Sequence, residues 1–128
     1  MTQSVTAAQI RLIRLLLLGG ILLFGLVAAF VASNDPYGIS LNVEGPLMPV
    51  VAVLVLASAG VLMVVRRKLE GILTVAKRAP LLIVGHMACE AAALVGGVHL
   101  MMTGGLMPFV AGVAVFAFSL VLLPIEHR

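Results

Sequence analysis

The acid Glu90 and the histidine His86 are the residues whose types and spacing could do chemistry. Glu90 lies ten residues after Pro80, inside a long apolar run, which places it roughly 15 Å along a helix. An acid at that depth in a membrane costs about 2.5–3.5 kcal/mol and rarely faces lipid. His86 comes four residues earlier, on the same helix face. The pair could form a proton or cation site, or a structural hydrogen bond to a neighbouring helix, and both interpretations stay open.

The same run offers few ligands for a metal or a cofactor. Glu90 and His86 supply two ligands at most, and no third candidate is close in sequence, so we expect no metal site. His99 lies nine residues after Glu90 on the opposite helix face, and His127 lies in the tail. We expect no cofactor of the chain's own, with a haem or pigment shared with a partner subunit as the open alternative. The chain carries no phosphate-binding glycine loop and no Ser–His–Asp set, so an enzyme is not expected.

Small residues occupy two adjacent faces of this run. Such faces let helix backbones approach closely, and in lipid this packing drives helix association. The faces could pack within one bundle or dock another subunit or a second copy. One series is Gly85, Cys89, Ala93 and Gly97, and the other is Ala88, Ala92 and Gly96.

The elements that must position these residues are transmembrane helices. The 128 residues are 62% hydrophobic and 10% charged, whereas soluble domains are about half apolar and about a quarter charged. A span needs roughly 20 apolar residues, and four runs come close: 10–32, 47–65, 80–102 and 106–123. We interpret the first run as a retained span, because its apolar stretch is longer than a signal-peptide core. The sequence thus predicts one all-α membrane domain over 1–128, a four-helix bundle.

Charge placement predicts how the bundle is oriented. All eight Lys and Arg fall at the start of the first run, within 66–78, or at the C-terminus, while the 33–46 loop carries only acids. The positive-inside rule then places both termini and the 66–79 loop on the cytoplasmic side of the cytoplasmic (inner) membrane. This distribution also removes nucleic-acid binding as the reason for the net charge of +3. We expect lipid-headgroup contacts from Arg66, Arg67, Lys68, Lys77 and Arg78, with a specific anionic-lipid site as the alternative.

Apolar residues recur at helical spacing between 66 and 79. The spacing favours a short helix at the cytoplasmic interface, or an extension of the second span.

The segment Gly85-His86-Met87-Ala88-Cys89-Glu90-Ala91-Ala92-Ala93-Leu94-Val95-Gly96 resembles the proton-carrying helix of the ATP synthase c subunit. The resemblance implies that Glu90 is an ion-binding carboxylate. The chain departs from that family in its two additional spans and in the lack of a glycine-repeat helix. It is also similar to the small four-span protein encoded beside ATP synthase genes, through the Asp35-Pro36 turn and the glutamate in the third span. That family's basic residue after the glutamate is missing from 91–95.

Short loops and the two small-residue faces favour an accessory or structural subunit of a larger membrane complex, of the energy-transducing class. The alternative is a small proton- or ion-coupled transporter or channel that acts as a homo-oligomer with Glu90 as the titrating site.

Overall fold

A computed structural model describes residues 4–41 and 44–126, and this part of the chain forms four helices. They are α1 (Ala7–Ser33), α2 (Met48–Glu70), α3 (Val75–Thr103) and α4 (Met107–Leu122). The all-helical expectation is confirmed. The first three helices are long and apolar enough to cross a membrane. The 16 residues of α4 rise only about 24 Å. It is the shortest of the four helices, just as 106–123 is the shortest of the four apolar runs.

Helix α3 lies at the centre of the bundle. It packs against α4, α2 and α1, whereas α1 makes few contacts with α4 and α1 and α2 do not pack against each other in the described part of the chain. In the most apolar 18-residue stretch of each helix, the share of buried residues is twice as large in α3 as in α1 or α2. Most large side chains of α1 face outward, as expected of a helix that turns one side to lipid.

The contact between α3 and α4 depends on glycines in both helices. A Cβ atom added to Gly96 would lie 2.6 Å from the carbonyl oxygen of Pro108 and 2.7 Å from the backbone of Phe109. One added to Gly112 of α4 would overlap the backbone of Ala93. The two helix backbones therefore touch at both points, which only glycine permits.

The other small residues of α3 are also used within the chain. Gly97 receives the ring of Phe24 from α1, and Gly85 receives side chains of α2 and of the segment after α4. Cys89, Ala92 and Ala93 are fully buried. Ala88 is partly exposed, and its carbonyl accepts a hydrogen bond of 2.8 Å from Ser58 of α2. The chain's own helices thus fill both small-residue faces.

The 66–79 segment does not form a separate interfacial helix. Residues up to Glu70 continue α2, residues from Val75 belong to α3, and only 71–74 connect them. The second possibility, an extension of the second span, is correct for its first half. Apolar residues recur at helical spacing over 66–79 because α2 extends beyond its apolar run to Glu70 and α3 begins before its own run, at Val75.

The charged residues separate the two ends of the bundle. Every Lys and Arg of the described residues lies at the end formed by the start of α1, the α2–α3 connection and the end of α4, which we call the basic end. At the opposite end, Ser40 forms a backbone bridge to the α3–α4 turn, with Ser40 N donating to Gly104 O (2.8 Å) and Leu106 N donating to Ser40 O (2.9 Å). Gly104 adopts a φ of +72°, which favours glycine.

Adding one methyl group at the α3–α4 contact should separate the helices. We expect Gly96→Ala to lower the free energy of unfolding by about 1–3 kcal/mol, as overpacking does. The matched control is Gly20→Ala in α1, where a Cβ meets nothing within 4 Å, and it should leave stability unchanged or slightly raised. Thermal unfolding in detergent, followed by far-ultraviolet circular dichroism, measures both. Equal stabilities of the two variants would contradict the close contact.

Candidate functional site

The ring of His86 lies at the centre of a polar network that joins α1, α3 and α4. Its side chain is 1% exposed. Arg14 Nε donates to His86 Nε2 over 2.9 Å, and His86 Nδ1 lies 2.8 Å from Ser119 Oγ. Because arginine only donates, Nε2 must be the acceptor, so the ring is neutral with its proton on Nδ1. Ser119 in turn donates to Phe116 O over 2.6 Å.

The guanidinium of Arg14 continues this network to the end of α4. Its Nη2 donates to the carbonyl oxygen of Leu123, the C-terminal capping residue of α4. The last carbonyls of a helix have no partner within the helix and carry a partial negative charge. Arg14 satisfies one of them and binds α1 to both neighbouring helices. Sequence reasoning placed Arg14 only among the basic residues that orient the chain. Its position inside the first apolar run is a signal that could have identified this role. Charged side chains inside a span usually face the interior of the bundle, where His86 of the third run also lies.

Arg78 is a second arginine with hydrogen bonds inside the bundle, and its burial corrects the expectation that it contacts lipid headgroups. It is 2% exposed. Its Nη1 donates to Leu69 O (2.9 Å) and Ile72 O (2.8 Å), and its Nη2 donates to Pro124 O (2.8 Å). Its donors therefore cap the ends of α2 and α4 instead of reaching lipid. The remaining members of the predicted headgroup set, Arg66, Arg67, Lys68 and Lys77, are exposed.

Glu90 does not join this network. It lies four residues after His86, which is about 40° further around the helix, and it is partly exposed. His86 and Gly97, on either side of it along α3, both contact α1. Glu90 therefore lies along the seam between α1 and α3, which we call the α1–α3 seam. Among the described residues it has no hydrogen-bond or ion-pair partner, so it forms no hydrogen bond with His86.

Neither neighbouring helix offers Glu90 a donor at its depth. The facing stretch of α1, from Leu15 to Phe24, contains only apolar residues and two glycines. Among the polar side chains of the spans, Ser58 and Ser119 already donate to backbone carbonyls, and both nitrogens of His86 are engaged. Glu90 is thus a polar group near the middle of α3 that has no partner among the described residues.

His99 differs from His86 although both are buried in α3. It is 0% exposed, and neither ring nitrogen has a hydrogen-bond partner among the described residues. The ring packs against Gly45, where an added Cβ would lie 2.6 Å from His99 Cε1. No three of the described His, Cys, Asp and Glu residues lie close enough to hold a metal ion. His127, the remaining histidine of the chain, lies outside the described residues.

The two histidines should respond in opposite ways to leucine. His86→Leu removes the acceptor of the partly buried Arg14, so we expect a loss of about 1–3 kcal/mol in the free energy of unfolding. His99→Leu removes two unpartnered buried nitrogens, so stability should stay equal or rise. Unfolding in detergent of the two purified variants and the parent measures the difference. A larger loss for His99→Leu than for His86→Leu would contradict this account of the network.

Comparison with known proteins adds no family to these observations. No protein-family model matches the chain, and no curated protein or solved structure matches it significantly.

Proposed function

We propose that this chain is an integral membrane protein that serves as an accessory or structural subunit of a larger membrane complex. The observation that carries the proposal is Glu90, a partly exposed acid on a long apolar helix with no partner among the described residues. In a bilayer such a group needs a hydrogen-bond donor or a cation, because hydrocarbon offers neither. A donor on another chain, seated on the α1–α3 seam, would supply it.

Three further features support a structural role. Two of the three helix connections, 71–74 and 104–106, are short, and three helices are long and apolar enough to span a membrane. The polar network around His86 is closed, since each ring nitrogen has a partner, and it stabilises the bundle without leaving a titrating site open. Many large apolar side chains of α1 are exposed and are available to lipid or to a partner. The energy-transducing class is part of the proposal because acids within membrane spans are typical of proton relays in pumps and transporters.

The proposal includes the orientation of the chain. We place the basic end, and both termini with it, on the cytoplasmic side of the inner membrane. The segregation of all described Lys and Arg residues at this end supports that orientation.

The alternative is a proton- or ion-coupled transporter or channel in which copies of this chain assemble and Glu90 titrates. The partial exposure of Glu90 favours it, because a transported ion must reach the carboxylate. The cavities described at the basic end do not include Glu90 among their lining residues, so a pathway would have to form between copies.

Variants of Glu90 separate the two functions. Native mass spectrometry of the chain, purified in mild detergent from its own membrane, should show unrelated partner chains in fixed stoichiometry. Glu90→Leu should lose them, because it removes the buried hydrogen bond, whereas Glu90→Gln should retain most of them. Met87→Leu, at an exposed apolar position of the same helix, is the matched control and should leave the complex intact.

The opposite results identify the alternative. A stable homo-oligomer with no other chain bound would contradict the proposal that the protein is a subunit of a larger complex. Loss of ion flux in liposomes for Glu90→Gln, with the fold unchanged, would establish the transporter in its place.

The orientation is tested separately by labelling single cysteines. Cys89 is buried and is first replaced by alanine. Tyr37 and Thr74 are both exposed and lie at opposite ends of the bundle. Tyr37→Cys should react with a membrane-impermeant maleimide added outside intact cells, and Thr74→Cys should react only after the membrane is opened. Labelling of both from the same side would contradict the proposed four-span arrangement.

A further inference from the structure

Two adjoining cavities follow the contact between α2 and α4. The first, of about 420 Å³, lies at the basic end and is lined by Arg66, Glu70 and Arg78 together with apolar residues and Pro124. The second is a groove of about 250 Å³ that is lined, apart from Arg66, by apolar side chains. Arg66 and Leu122 line both. The two cavities therefore form one surface, charged at the end of the bundle and apolar along the helices, which we call the α2–α4 groove.

We infer that the α2–α4 groove binds one anionic phospholipid, with its phosphate at Arg66 and one acyl chain along the apolar part. Arg66 is exposed and has no hydrogen-bond or ion-pair partner among the described residues. Arg78 adds a second positive charge on the protein side of the cavity, held in place by three carbonyl oxygens. Its Nε has no partner among the described residues. An anion at this point would form an ion pair with Arg66 and would also be attracted by the positive charge of Arg78.

The apolar part of the groove matches an acyl chain in position and chemistry. From Arg66 to Ala59, its furthest lining residue on α2, the helix rises about 10 Å toward the middle of the bundle. Between them lie Leu62 and Met63, and α4 contributes Val115 and Phe118. No polar side chain other than Arg66 lines this stretch. An extended peptide would leave its backbone polar groups unpaired there, whereas a hydrocarbon chain needs no partner.

The cleft between α1 and α4 also contains arginines, but both of them have partners within the chain. Arg11 and Arg14 line a cavity of about 470 Å³ there. However, Arg14 already donates to His86 and Leu123, and Arg11 lies 3.8 Å from the carboxylate of Glu126. Both arginines therefore have partners within the chain, so the observations assign the lipid to the α2–α4 groove.

The test titrates the full-length chain, purified in a neutral detergent, with phosphatidylglycerol and counts bound lipids by native mass spectrometry. We expect one retained phosphatidylglycerol per chain and at least about tenfold weaker binding in Arg66→Gln. Arg67→Gln is the matched control, since Arg67 is an exposed neighbour of equal charge that lines neither cavity. It should change the affinity by less than about threefold.

A second pair of variants tests the acyl-chain position. Ala59→Phe fills the groove and should weaken binding by a similar factor. Ala57→Phe, also exposed but not lining the groove, should leave it unchanged. None of these side chains is buried, so the fold should persist in all four variants, and circular dichroism checks this.

Three outcomes would overturn the inference. Equal losses for Arg66→Gln and Arg67→Gln would indicate attraction by diffuse surface charge alone. Equal binding of phosphatidylcholine would show that the anionic charge is not recognised. Displacement of the lipid by inorganic phosphate at the same concentration, with no effect of Ala59→Phe, would assign the site to free phosphate.

Discussion

Two arginines, the partly buried Arg14 and the buried Arg78, join all four helices at one end of this bundle. Arg14 on α1 binds His86 on α3 and the last carbonyl of α4, and Arg78 on α3 binds the carbonyls that end α2 and follow α4. Helix ends that approach a membrane interior must satisfy their free carbonyls within the protein. Because α1 packs mainly against α3, with few contacts to α4 and none to α2 in the described part of the chain, the hydrogen bond from Arg14 to Leu123 adds a polar link between α1 and the end of α4. The two arginines therefore join helix ends that apolar packing alone connects weakly.

The four helices could be predicted from the sequence because a long apolar run has few other stable structures in lipid. The helix ends at the α2–α3 connection could not. The third apolar run begins at Pro80, yet α3 begins at Val75. The helical hydrogen bonds continue into polar residues that lie outside the apolar run. The α2–α3 connection shows the same effect, since helical spacing over 66–79 belongs to the ends of two helices separated by 71–74. Hydropathy measures the environment of a segment, whereas helix ends depend on capping and on tertiary contacts.

The site was predictable in part. The depth of Glu90 and His86 in the third run identified them as the polar groups to examine, and the structure locates both in α3. The sequence could not show that the two side chains fail to pair. Residues four apart share a helix face, yet they differ by about 40° around the helix. At the edge of a buried face that angle turns one side chain inward and leaves the other partly exposed. Which of the two is enclosed depends on Arg14 and Ser119, which come from helices far away in sequence.

Two of the polar groups that have no partner among the described residues lie on different sides of the bundle. Glu90 lies on the α1–α3 seam, and Arg66 lies at the head of the α2–α4 groove. Because α1 and α2 do not pack against each other, while α3 and α4 both pack against α2, a protein bound along the seam need not cover the groove. A partner chain and an anionic lipid could therefore occupy the molecule together. Each would satisfy a charge or hydrogen bond that the fold leaves unmet, while the closed network of Arg14 and His86 keeps the helices in place between them.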